Sequence, residues 1–275
     1  MGANHQKEIE ALCSIAEPDY GYITNFGKAH LEGFGGVEGV IKGKSELYLN
    51  LFQRNKFIFF NADDAIQAEK LKSYPNKKSF GGQDNADVKV EFISANPFAT
   101  LRVRETTISS NLIGAYNLSN IAASVLIGIH FEIPLLQIKD AIEAYVPSNN
   151  RSQIIEKNGK KIVLDAYNAN PSSMKVALEN FANLSGEGKL AILGDMFELG
   201  NEAAIEHQNI AELAEKLGVN TFLVGNNFYK TSSSFKKFNT FEDLKAFLLQ
   251  NPLKETTLLI KASRGMALER LLEYL

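Results

Sequence analysis

Cysteine occurs once in this sequence, at Cys13, so neither an intrachain disulfide nor a cysteine-based zinc site can form. Such sparing use of cysteine matches a reducing compartment, and a cytoplasmic location is expected. An excess of one charge is also missing. The 29 Lys and Arg nearly balance the 32 Asp and Glu, for a net charge of −3. That balance gives no broad basic surface for nucleic acid or an anionic membrane, and neither is expected as a partner. No long uninterrupted apolar run is present. The nearest, "IAASVLIGIHFEIPLL" (121–136), contains His130, Glu132 and Pro134 and reads as a buried helix followed by a turn. The start, "MGANHQKEIEAL", is polar and carries acidic residues, unlike a secretory signal. Internal repeats and low-complexity tracts are absent. So is a P-loop: nowhere is a Gly followed by four residues and then Gly-Lys-Ser/Thr, and "GEGKL" (186–190) reads as a turn before a strand.

What is there is the composition of a globular protein, 45% hydrophobic and 22% charged over 275 residues, enough for one large domain or two smaller ones. In the first half, residues 5–16 place Ile9, Leu12 and Ile15 on one helical face, and "YGYITN" (20–25) and "KFIFFNAD" (56–63) read as strands. From 78 to 113 short alternating segments predict an antiparallel meander, followed by helices over 115–129 and 134–145. "VPSNNRS" (146–152) has the composition of a linker. Beyond it, strands ("KKIVLDA", "KLAILGD", "NTFLVG", "TTLLIKA") alternate with helices near 172–184, 202–217 and 241–249 and from 265. That alternation predicts an open, mostly parallel, Rossmann-like α/β sheet whose ligands sit at the carboxyl ends of strands.

Residues with chemistry to offer cluster where such a sheet would use them. The helix "GVEGVIKGKSELYLNLF" (36–52) gathers Val37, Val40, Ile41, Leu47, Tyr48 and Leu51 on one stripe, and Lys44 falls on the same stripe. An ammonium there either snorkels to water or serves a purpose. The loop before it, "TNFGKAHLEGFGG" (24–36), brings His30 and Glu32 to a strand's carboxyl end. Those residues suit Mg²⁺ or Mn²⁺, or His30 merely caps the helix. Asn117 and Asn120 share one side of a helix's first turn, as caps or as partners for a planar base. "LDAYNANPSSM" (164–174) ends a strand with Asp165 and continues with Tyr167, Asn168, Asn170 and Ser172. It serves as a turn plus N-cap, or as a ribose or ammonium partner. "LGDMFELG" (193–200) is a second acidic strand end, with His207 on the next helix. "KASRG" (261–265) sets Lys261, Ser263 and Arg264 at a helix start, as a solvated basic turn or as a carboxylate or phosphate site.

Taken together, "GANHQKEI" (2–9), "NFGKAHLEGFG" (25–35), "NADD" (61–64), "GAYNLSN" (114–120), "LDAYNANPSSM", "GDMFELG" and "KASRGM" resemble the Mur ligases, in family order and over nearly the whole chain. "AHLEGFG", "YNANPSSM" and "GDMFELG" are most similar to the branch that joins D-alanyl-D-alanine to UDP-N-acetylmuramoyl-tripeptide in peptidoglycan precursor synthesis. The resemblance implies the C-terminal part of a central ATPase domain over 1–147 and a Rossmann-like C-terminal ligase domain over 148–275. It implies ATP-dependent amide synthesis through an acyl-phosphate, with Mg²⁺. Lys44 would be carbamylated by CO₂ and, with His30, would hold the metal. Asn117 and Asn120 would lie near adenine, and Arg151, Asp165 and Tyr167 near the nucleotide's ribose and phosphates. Asn168, Asn170, Ser172, Lys261, Ser263 and Arg264 would face the incoming dipeptide or the acyl-phosphate.

The family also has a UDP-substrate domain, a P-loop and a metal-ligand glutamate that this sequence lacks. The expectation is therefore a chain without its N-terminal segment, inactive alone. Two other classes remain: a folylpolyglutamate synthetase-like amide ligase, which should lack "YNANPSSM" and "GDMFELG", and a non-catalytic half-protein binding a nucleotide or a partner chain.

Overall fold

The structure, a computed structural model, describes every residue except Ala29, Pro97, Asn149 and Glu187. Single positions in the 24–36 loop, the 146–152 linker and the 186–190 turn therefore lie outside the described residues. The chain divides into two compact units, Met1–Tyr145 and Val146–Leu275.

The first unit runs α1 (Glu8–Ala16), β1 (Tyr20–Tyr22), α2 (Leu31–Phe34), α3 (Val37–Gln53), β2 (Phe57–Asn61), α4 (Ala65–Leu71), β3 (Lys77–Gly81), β4 (Val88–Lys89), β5 (Glu91–Ser94), β6 (Phe98–Val103), β7 (Thr106–Ile113), α5 (Tyr116–His130) and α6 (Leu135–Ala144). A four-stranded parallel sheet has the order β1-β2-β3-β4, and β5-β6-β7 form a separate antiparallel sheet. Alternation along β2 sends Ile58 and Phe60 to one core with Tyr48, Leu51 and Leu71. Phe59 goes to the other core, with Phe80 and the apolar face of α5. Both faces of this sheet are covered, as parallel sheets require.

The meander expected over 78–113 is thus correct only from 91 onwards. Residues 77–81 and 88–89 are parallel strands, and "NADD" starts the crossover helix that joins β2 to β3 rather than closing a turn. Asp64 caps α4, accepting from the amides of Ile66 and Gln67.

The second unit runs β8 (Gln153–Lys157), β9 (Lys160–Asp165), α7 (Pro171–Asn183), β10 (Lys189–Gly194), α8 (Ala203–Lys216), β11 (Thr221–Val224), α9 (Asn226–Tyr229), β12 (Lys236–Phe238), α10 (Phe241–Gln250) and β13 (Thr257–Lys261). Its sheet has the order β12-β11-β10-β13-β9-β8, parallel except for the β8–β9 hairpin. Ile162, Leu164, Leu190, Ile192, Leu258 and Ile260 meet α10 on one face. β13, last in sequence, inserts between β9 and β10, so the order reverses there, and the carboxyl ends of these three strands are where such sheets place ligands. The helix expected from 265 is instead two 3₁₀ segments, Arg264–Met266 and Leu268–Tyr274. Ala267 sits between them at φ +47°, a left-handed conformation that ends a helix.

Candidate functional site

Three strand-end loops of the second unit are tied into one platform. Asp165 and Lys261 end β9 and β13 in register, so their side chains leave the sheet on the same face. Lys261 Nζ reaches Asp165 Oδ2 at 2.5 Å, with side chains only 2% and 15% exposed. The same ammonium donates to the Asn168 carbonyl at 3.3 Å. Ser263, also buried, accepts from the Phe197 amide at 2.9 Å and donates to the Ala169 carbonyl at 3.3 Å. The loops 165–170, 195–197 and 261–264 therefore share one continuous set of hydrogen bonds.

The linker end joins this platform. Asp165 Oδ1 accepts from the Ser152 amide at 3.2 Å, and the Tyr167 amide donates to the Asn150 carbonyl at 3.2 Å. The Arg151 guanidinium lies 3.9 Å from the centre of the half-exposed Tyr167 ring, with that of Arg264 at 5.3 Å. Cations over a ring face are attracted by its quadrupole. The Arg151 guanidinium, helped by that of Arg264, holds the Tyr167 phenol below its ordinary range. Asn168 turns its side-chain oxygen to the Ala169 amide, and Asn170 caps α7 in a reciprocal box with Ser173. Ser172 stands half-buried in the first turn of that helix.

Asp195 has a structural use. Its carboxylate accepts from the amides of Asn227 and Phe228, each at 2.9 Å, and so closes the N-terminus of α9. Gly225 has φ +118°, and a Cβ there would fall 2.4 Å from that carboxylate.

In the first unit Lys44 and Asn117 are each held by a backbone carbonyl, and Asn120 is held by Asn117. The stripe of α3 buries Val40, Tyr48 and Leu51, whereas Val37 is exposed and Lys44 half-buried. Helix α3 lies close to Phe34, because a Cβ on Gly43 would sit 2.4 Å from that ring. Lys44 Nζ donates to the Asn25 carbonyl at 2.8 Å, and burial pulls its ammonium below the usual lysine range. Asn25 Oδ1 accepts from the Gly27 amide at 3.0 Å and shapes the loop that leads to His30. His30 is half-buried at φ +53°, immediately before α2. Asn117 is buried and donates to the Ile113 carbonyl at 2.8 Å, while Asn120 donates to Asn117 Oδ1 at 3.0 Å. Among the described residues no group of three or more His, Cys, Asp and Glu converges on a metal position. Asn25 and Ser152 were not legible as partners, because they act through backbone atoms that every residue has. Among the described residues no helix is long and apolar enough to cross a membrane.

Against known proteins, residues 1–128 match the Mur ligase middle domain and residues 150–264 the Mur ligase, glutamate ligase domain. The UDP-N-acetylmuramoyl-tripeptide–D-alanyl-D-alanine ligase of Buchnera aphidicola subsp. Baizongia pistaciae is 32% identical over 100% of this chain. The chain spans 62% of the length of that relative. The structure superposes on MurF from Acinetobacter baumannii with a TM-score of 0.86 at 28% identity, covering 99% of this chain and 63% of the other. On MurF from Thermotoga maritima in complex with ADP the TM-score is 0.83 at 25% identity, covering 100% and 65%.

Proposed function

The chain belongs to the Mur ligase family, and on that premise we propose that it forms the later part of an ATP-dependent ligase in the cytoplasm. The ligase adds D-alanyl-D-alanine to UDP-N-acetylmuramoyl-tripeptide in peptidoglycan precursor synthesis. Residues 1–147 are the later portion of the ATP-binding domain, and 148–275 the domain that receives the dipeptide. One observation carries the reading: the loops at the ends of β9, β10 and β13 are bound into a single platform at the point where strand order reverses.

ATP supplies the phosphoryl group that activates the tripeptide carboxylate as an acyl-phosphate, and Mg²⁺ offsets the charge that gathers there. The residues of the first unit suit these groups. Only the neutral amine of lysine adds CO₂, and burial of Lys44 raises the share of that form. A carbamate on Lys44 together with His30 would hold Mg²⁺, which would offset phosphate charge there. Asn117 holds Asn120 at the start of α5, where the pair can face adenine.

In the second unit, Arg151 and Arg264 present two exposed cations beside the Tyr167 ring, suited to phosphate oxygens. Asp165, the proposed ribose partner, steadies the linker through Ser152. Lys261 pairs with the Asp165 carboxylate, and with Asn168, Asn170, Ser172, Ser263 and Arg264 it frames the place of the dipeptide. A dipeptide held there has its amine positioned for attack, and ordering of this kind lowers the barrier by removing orientational freedom.

The test is a calorimetric titration of the chain with D-alanyl-D-alanine and with L-alanyl-L-alanine, in the native protein and in Arg264→Ala. The D-isomer should bind, the L-isomer should bind more weakly, and the variant should lose affinity for the D-isomer. Equal or no binding of the two dipeptides would contradict the proposal.

A further inference from the structure

A buried histidine next to the platform has no part in the chemistry above. His207, on α8, is fully buried. Its Nε2 lies 2.9 Å from the Met196 amide, and its Nδ1 lies 2.6 Å from the Ala203 carbonyl. An amide N–H only donates and a carbonyl only accepts. Nε2 must therefore be bare and Nδ1 protonated, which fixes one neutral tautomer.

The bond to Met196 bears on the platform because of what the next amide does. Phe197 N–H donates to Ser263 Oγ, and that hydroxyl donates in turn to the Ala169 carbonyl. The Ser263 amide donates to the Asp195 carbonyl at 3.2 Å. Two successive amides thus look in opposite directions, one to a buried ring and one to the strand-end loops. The Met196 amide bonds the ring rather than the Asp195 carboxylate, which accepts from the amides at the start of α9.

We propose that His207 is a positioning residue for the dipeptide site: its bare Nε2 fixes the Met196–Phe197 backbone, which through Ser263 sets the loop 168–170. The assignment rests on the reading of this platform as the dipeptide site. The charged groups acting on the ring are Asp195, whose Oδ1 is 3.6 Å from Nε2, and Glu206 on the same helix. Phe228 of α9 meets the ring edge-on, with centroids 4.6 Å apart. Protonation would turn Nε2 into a donor opposed to the Met196 amide, leaving Asp195 as its acceptor. The ring would then release the loop.

Burial pulls His207 below its ordinary value of 6.5. A lowered folded-state value means that the neutral form belongs to the native state. The stability it contributes is complete above about pH 6.5 and is lost as pH falls through the lowered value.

Amide hydrogen exchange and titration with D-alanyl-D-alanine, both on the whole chain, test this in His207→Phe and His207→Gln. Phenylalanine fills the space without an acceptor. Exchange at Met196 and Phe197 should quicken by about tenfold or more, and dipeptide affinity should fall, with the amides of β9, β10 and β13 still protected. Glutamine offers an acceptor oxygen and should return both readouts towards the native protein. Unchanged exchange at Met196 and Phe197 in His207→Phe, with the strands intact, would overturn the proposal. Faster exchange with full dipeptide affinity would overturn the positioning role. If the native protein has no affinity for the dipeptide, the reading of the platform fails, and the exchange data still decide whether His207 holds the loop. If His207→Phe does not fold, titration of the native protein decides instead. The amide signals of Phe197, Ser263 and Ala169 should move with the His207 imidazole, and their failure to follow it would refute the idea.

Discussion

The two units hold their candidate residues in opposite ways. In Val146–Leu275, Asp165, Lys261, Ser263 and the 168–170 loop bind one another, so the site is organised by its own side chains. In Met1–Tyr145, Lys44 and Asn117 bind the nearest backbone, to Asn25 and Ile113, and Asn120 leans on Asn117. The difference follows from topology. Adjacent parallel strands bring Asp165 and Lys261 into register, whereas Lys44 and Asn117 stand on separate helices. A site of the first kind exists before its ligand arrives. One of the second kind is completed by the groups it binds.

The largest expected effect concerns turnover. The 275 residues contain no P-loop motif, the element whose row of backbone amides cradles phosphates. Loss of such positioning is worth ~7–11 kcal/mol of barrier lowering. With ATP, Mg²⁺, UDP-muramoyl-tripeptide and D-alanyl-D-alanine, this chain alone should release no detectable phosphate. Phosphate release at a normal ligase rate would erase the contrast, because the first unit would then be complete.

Lys261→Ala comes next. It leaves Asp165 mostly buried and unpaired, and should cost the second unit about 3–5 kcal/mol in chemical denaturation. Lys261→Ala combined with Asp165→Ala should recover much of that loss. A single variant as stable as the native protein would mean that the platform is not organised by this pair.

Asn117→Ala should cost the first unit about 1–3 kcal/mol, since it leaves the Ile113 carbonyl without its side-chain partner. It should leave hydrogen exchange in the second unit unchanged.

Smallest in stability, Lys44→Met should change the first unit by less than about 1 kcal/mol, because it removes a costly half-buried ammonium together with one hydrogen bond. Its diagnostic is spectroscopic: ¹³C-bicarbonate should give a carbamate signal in the native protein and in Lys42→Ala, but not in Lys44→Met. A signal that survives Lys44→Met would place the modification elsewhere.

Strands β9, β10, β11 and β13 were legible in the sequence because fully buried parallel strands read as apolar runs. The edge strands β8 and β12 were not, since "QIIEK" and "KKF" are short and half polar. Helix α4 was hidden by its cap: "NADD" has the composition of a turn until Asp64 is seen bonded to two amides. In α1 the apolar spacing pointed to Ile15, which is 80% exposed, because the buried edge runs through Ile9 and Cys13. At the site, the strand-end positions of Asp165, Lys261 and Ser263 followed from alternation of strands and helices. Their mutual bonds did not, because register between β9 and β13 joins residues 96 positions apart. The use of Asp195 was equally hidden, since its partners are the backbone amides that open α9.

The central claim, that the second unit carries a preformed dipeptide platform, is tested most directly by mapping amide chemical shifts of the chain during addition of D-alanyl-D-alanine. The expected result is a saturable set of shifts at Asn168–Ser172 and Lys261–Arg264, with the first unit unaffected. Shifts confined to the first unit, or no saturable shift at all, would contradict it.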